Sequence, residues 1–144
     1  MVIRKALIGL LPLLALLCIA QQVEVRKVPI KPVDPQSGEK MYMTYCAVCH
    51  GADGKGVGPA ATAMKVPPTN LRTLSKANGG KYPSAHVFSV VYGDTASPEA
   101  HGSREMPVWG SLFSSLCSGA PTAHAQVQSR VNKITSYVES LQEK

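Results

Sequence analysis

Hydrophobic and polar positions divide the chain into three kinds of segment. Ala6 to Ala20 is a continuous apolar run, and Gln21 to Pro35 is polar and broken by Pro29, Pro32 and Pro35. Beyond Ser37, apolar residues recur at helical spacing between long polar stretches. Gly38, Met41, Tyr42 and Tyr45 predict a first helix beginning near Ser37, a good N-cap with Pro35 as a stop before it. Val87, Val90 and Val91 predict a second helix from about Ser84, its cap, to Tyr92, ended by Gly93. Val127, Val131, Ile134, Val138 and Leu141 mark one face of a last helix over residues 122–142. Between them, residues 55–85 read as mostly irregular, punctuated by Pro67-Pro68 and Gly79-Gly80. No strand alternation and no repeat is found, so the pattern predicts an all-α domain with long loops.

The first apolar run has its own reading. Arg4 and Lys5 precede it and small residues close it, which matches an export signal cleaved after Ala20. It is short for a membrane span, which needs about 20 apolar residues. Retention as an anchor is the second reading. Lipid attachment at Cys18 is the third, with Leu17 where such signals carry a small residue. All three place the remaining chain outside the cytoplasm. The expected organisation is a signal or anchor over 1–20, a proline-rich linker over 21–36 and a single domain over 37–144.

Composition narrows the class. At 144 residues, 44% hydrophobic and 17% charged, the chain is neither a disordered polymer nor a multi-span membrane protein. Aromatics make up only 6%, so the core must be filled by aliphatic side chains or by something other than protein. Loss of residues 1–20 removes Arg4 and Lys5 and lowers the net charge from +6 to +4. Cys46, Cys49 and Cys117 then remain, an odd set that argues against a disulfide framework.

Cys46-Ala47-Val48-Cys49-His50 is the string that carries chemistry. C-x-x-C-H is the attachment signature of a c-type haem. Two cysteines three apart on one helical turn point the same way, so both sulfurs reach the vinyl groups on one porphyrin edge. His50 then offers its Nε2 to the iron. Two other readings compete. A redox dithiol sits in a strand–helix setting, which this chain lacks. A zinc site needs a second ligand pair, and no further C-x-x-C or H-x₃₋₅-H occurs.

Residues 37–142 resemble the small monohaem class I cytochromes c of bacteria. The likeness rests on Cys46 to His50 followed by Gly51-Ala52-Asp53-Gly54-Lys55-Gly56, on Pro68-Thr69-Asn70-Leu71, on Met106-Pro107, and on residues 134–141. It implies a cytochrome c fold of helices and long loops around one haem, with the first and last helices crossing near Gly38 and Tyr137. It implies one haem c attached through Cys46 and Cys49, ligated by His50, with the Pro59 carbonyl orienting the imidazole.

Sixth-ligand candidates are Met41, Met43, Met64, Met106, His86, His101 and His124. Met41 and Met43 lie too near the attachment turn to reach the other face, and Met64 reads as an apolar gap-filler. Met106 precedes Pro107, as in the family, and the proline stiffens its loop. Met106 is therefore the expected ligand and His86 its rival. His101 and His124 read as solvent-facing. Trp109 either donates its indole N–H to a propionate or packs over the ring. Asn70 and Arg72 either reach the propionates or face water, and Cys117 reads as a buried thiol.

No acid occurs between Asp53 and Asp94, while Lys55, Lys65, Arg72, Lys76 and Lys81 do. That stretch is either a positive rim that steers an acidic redox partner or a solvated loop offsetting the propionates. Nucleic-acid binding is not expected. The expected function is one-electron transfer in an extracytoplasmic chain, without substrate catalysis. The alternatives are a membrane-held subunit of a respiratory or photosynthetic complex, and a haem sensor or peroxidase-like enzyme with a labile sixth ligand. Sequence does not fix the oligomeric state.

Overall fold

In the computed structural model, residues 29–93, 106–117 and 119–143 are described. The apolar run, its signal, anchor or lipid readings, and His101 lie outside them. Helical structure begins where Ser37 predicts. Its side chain accepts the Lys40 amide at 3.1 Å and caps α1 (Gly38–Met41). The helix then widens into a π-helical turn, Tyr42–Cys46, before returning to α geometry in α2 (Ala47–His50). Such wide turns are rare, and they concentrate at functional sites. Here the whole unit turns Met41, Tyr42, Tyr45, Cys46 and Ala47 inward.

Residues 55–85 are less irregular than their glycines and prolines predict. They hold 3₁₀ turns at Ala61–Ala63 and Leu71–Thr73 and a short α3 (Leu74–Ala77). These elements are too brief to show a hydrophobic period. α4 (Ser84–Tyr92) has its predicted span and glycine stop, but Ser84 is not its cap. Pro83 occupies that position and its carbonyl takes the Val87 amide at 3.0 Å, which makes Ser84 the first helical residue. α5 (Trp109–Leu116) is an element that the pattern reading missed. Trp109, Leu112, Phe113 and Leu116 do fall at helical spacing, a signal diluted by Gly110 and the serines. α6 (Ala123–Ser140) carries the predicted face, with Val127, Val131, Ile134 and Val138 all buried.

α6 is the spine against which α1, α4 and α5 pack. The crossing with α1 depends on Gly38, where a Cβ would collide with the Lys133 carbonyl oxygen and sit 3.2 Å from the Tyr137 Cβ. Only a residue without a side chain allows that approach, so the predicted crossing of first and last helices is observed. Beside it the Tyr42 and Tyr137 rings lie 5.1 Å apart. Ile30 and Val33, at the described end of the proline-bearing segment, pack on the core. The Tyr45 hydroxyl anchors that strap by donating to the Lys31 carbonyl at 2.6 Å. Cys117 is a buried free thiol, as expected. The described residues contain no strand, and the fold is all-α.

Candidate metal centre

The π-turn and α2 bring Cys46, Cys49 and His50 to one wall of a cavity. It has two lobes, which share Cys46, His50, Thr69 and Met106. The outer lobe is bordered by Cys49, Met64, Val66, Pro67, Pro107 and Trp109. The inner lobe runs under α4 and α6 and is walled by Leu71, Val87, Val91, Ile134 and Val138. Met106, distant in sequence, is thus brought to the same space as His50. His86 also borders the inner lobe, from an exposed position on α4. Met41 is buried in the core, Met43 is exposed, and Met64 edges the outer lobe. His124 is exposed, with its Nδ1 3.5 Å from the Tyr92 hydroxyl.

His50 is oriented by backbone. Its Nδ1 lies 3.0 Å from the carbonyl oxygen of Thr69, which takes the role expected of Pro59. The folding of the glycine loop explains the exchange. Gly58 N–H donates to the Cys49 carbonyl and Ala60 N–H to the Val48 carbonyl, which presses residues 58–60 along the outside of α2 and leaves Pro59 exposed. Gly56 N–H meanwhile donates to the His50 carbonyl at 2.7 Å, and Leu71 N–H to the Gly54 carbonyl at 2.7 Å. Those bonds draw residues 68–71 against His50. Gly56 has φ +84°, and a Cβ there would strike the Pro68 carbonyl, so the docking needs glycine. The acceptor is a main-chain atom, which no side-chain signal at position 69 could reveal.

Burial lowers the His50 pKa, against a smaller opposing effect of the Thr69 carbonyl, and so favours the neutral imidazole that binds metals. With Nδ1 engaged, Nε2 is the nitrogen left for an iron. Burial, with Cys49 adding to it, pushes the Cys46 thiol up to about 12, and burial raises Cys49 less strongly. Both therefore favour the protonated thiol.

Three other expected residues divide. Trp109 is buried on the cavity wall, with its ring 5.3 Å from Tyr45 and 5.6 Å from Phe113, an arrangement that fits the packing reading. Asn70 and Arg72 border neither lobe. The Asn70 side chain caps Leu71–Thr73 by accepting the Arg72 amide at 3.0 Å. The Arg72 guanidinium turns to Glu143 at 3.4 Å, where the Glu143 amide bonds the Arg72 carbonyl. Asn70 thus shapes the 70s segment locally, and Arg72 fastens it to the residues that follow α6. Gln142 shares that task, donating to the Leu71 carbonyl and accepting the Ser75 amide.

Two thiols on one helical turn, a neutral imidazole with one free nitrogen, a thioether and an apolar cavity suit a covalently held haem iron. The described residues form no cluster of three or more His, Cys, Asp or Glu side chains that would hold a bare ion. The fold and the site define a c-type cytochrome domain. The family model described as Cytochrome C oxidase, cbb3-type, subunit III matches residues 33–117, and the chain belongs to that family. The domain accordingly binds haem c and serves electron transfer. No curated protein and no solved structure matches the chain. No helix among the described residues is long and apolar enough to cross a membrane.

Proposed function

We propose that the protein is a one-electron carrier with a single haem c, held through thioethers to Cys46 and Cys49 and ligated by His50 and Met106. The observation that carries this reading is the convergence of those four side chains on one cavity. Haem c supplies an iron that cycles between ferric and ferrous. Everything else falls to the chain. Cys46 and Cys49 fix one edge of the ring, and the Thr69 carbonyl holds the His50 imidazole in one orientation. The Met106 thioether favours the reduced iron and raises the potential relative to a second nitrogen ligand. Valines of α4 and α6 keep water from the inner lobe. Residues 66, 67 and 107 are exposed at the outer lobe and leave an apolar rim for a redox partner. Lys65 adds positive charge next to that rim, suited to an acidic partner surface, whereas Lys55 is balanced by Asp53 at 3.1 Å. Residues 1–20 serve as export signal or anchor, and the domain works in the periplasm or on the outer face of the cytoplasmic membrane.

A second reading, a membrane-held subunit of an oxidase, draws support from the description of the family. Partition of the protein after an alkaline wash of membranes separates the two: a shuttle is released and an anchored subunit stays. Ligation is tested by the ferric optical spectrum beside that of Met106→Ala. A weak long-wavelength sulfur-to-iron band is expected in the parent and absent in the variant. A high-spin parent, or a spectrum indifferent to the mutation, overturns Met106 and brings forward His86 or an open, reactive sixth position.

A further inference from the structure

The most unusual charge in the domain lies outside the haem cavity. Arg130 projects from α6 into the core and keeps only 8% of its surface exposed. Arginine stays protonated in proteins, so this is a permanent charge. Its Nε and Nη1 are buried without a hydrogen-bond partner. Among the described residues no carboxylate pairs with it; the ion pairs there join Lys40 to Asp34, Lys55 to Asp53 and Arg72 to Glu143. Its one specific contact is with a ring, the guanidinium carbon lying 6.0 Å from the Phe113 centroid.

A buried charge without a counter-ion costs stability, and a neutral side chain of similar length would fold at least as well. Such a group survives more readily if its field is used. Phe113 lies 5.4 Å from Tyr45 and 5.6 Å from Trp109, and both of those rings face the outer lobe beside Cys46 and His50. Arg130 therefore stands one aromatic layer behind the cavity wall. Its field already acts on that layer, since it counters part of the rise that burial gives the Tyr45 phenol. The rings between carry no formal charge, the strap residues Ile30 and Val33 that pack on this core are apolar, and Asp34 in the same strap is paired with Lys40.

We propose that Arg130 raises the redox potential of the domain, its buried guanidinium, which pairs with no carboxylate among the described residues, opposing the extra positive charge of oxidised iron. The inference rests on the haem placement proposed above. The electron balance is simple: one electron from a donor converts ferric iron to ferrous, with no proton moved and no bond made or broken. At an effective dielectric of about 20, a unit charge one aromatic layer away changes such an equilibrium by up to roughly tenfold. Allowing for partial solvent screening, the expected change is about three- to tenfold, or about 30–60 mV for one electron.

The test is potentiometric titration of the haem-loaded parent, Arg130→Met and Arg130→Lys, with thermal melting of each. Arg130→Met should fall in potential by that amount, keep the parent's axial-ligand bands, and melt no lower than the parent. Arg130→Lys should stay close to the parent potential. A Met variant at the parent potential overturns the proposal, as does a Lys variant that falls equally far. A Met variant that fails to assemble or melts early also overturns it, because Arg130 is then a packing residue. A parent that takes up no covalent haem overturns the underlying reading, and this one with it. A loaded parent and Met variant with the same potential overturn the Arg130 proposal alone.

Discussion

The two sides of the cavity are built by different means. On the His50 side, main-chain hydrogen bonds do the work. His50, Gly54, Gly56 and Leu71 are tied into one loop by bonds of 2.7 Å, with the Thr69 carbonyl at the ring nitrogen. On the Met106 side the chain is held by apolar contact. Val108 presses on Gly93, and the Trp109 ring packs at a tilt against Tyr45 and Phe113. Directional bonds fix an orientation, whereas packing fixes a position and tolerates rotation. The difference suits the two proposed ligands, because a planar imidazole must be aimed and a flexible thioether need only be brought near.

Substitutions on each side should break the site differently. Trp109→Ala should have the largest effect, about 3–5 kcal/mol of stability, from loss of a buried ring and the cavity left behind. Chemical denaturation would measure it, and the His50-side loop should remain intact, as read by amide exchange at Gly56 and Leu71. Gly56→Ala should cost about 2–3 kcal/mol, through strain at positive φ and collision with Pro68. Unlike the Trp109 change, it should disturb the environment of the His50 ring, visible in the imidazole resonances by NMR. If Trp109→Ala moves His50 as much as Gly56→Ala does, the two sides are not separate devices.

The smallest effect expected here is a dependence on alkaline pH. Burial raises the phenol pKa of Tyr42, whose hydroxyl donates to the Gly51 carbonyl at 2.8 Å, and burial likewise raises Tyr82, which donates to the Thr135 carbonyl at 2.9 Å. Folded pKa values above the unfolded one mean that the stabilisation is full below about pH 10 and lost as pH rises beyond it. Melting temperature should therefore fall above pH 10. Tyr42→Phe should flatten that fall while lowering stability at neutral pH by about 1 kcal/mol. A parent melting curve level from pH 9 to 12 would contradict the burial of both phenols.

What the sequence disclosed follows the same division between side chains and backbone. The C-x-x-C-H string, the apolar face of α6 and the Ser37 cap are all written in residue type, and each lies where expected; the Gly38 crossing comes only from the resemblance to the family, and it too is found. Met106, singled out through Pro107, borders the same cavity as His50. The acceptor for His50 was not legible, because a carbonyl belongs to every residue and only the folding of the glycine loop selects Thr69. Asn70 and Arg72 show a related difficulty. Their side chains suit an acidic ligand as well as they suit a helix cap and an ion pair, and the tertiary contacts with residues 142 and 143 decide between them. α5 lies between these cases, since its spacing was visible and its small residues disguised it.

The Gly38 crossing also has a consequence for how the chain acquires its structure. α1 and α6 lie at opposite ends of the described sequence, yet each needs the other to cover its apolar face. Joining them closes most of the described chain into one loop, an entropic cost met before the helices gain their contact. Until α6 docks, α1 has no partner for its apolar face, so the helical unit that leads into Cys46 and Cys49 reaches its final setting only once this long-range contact has closed.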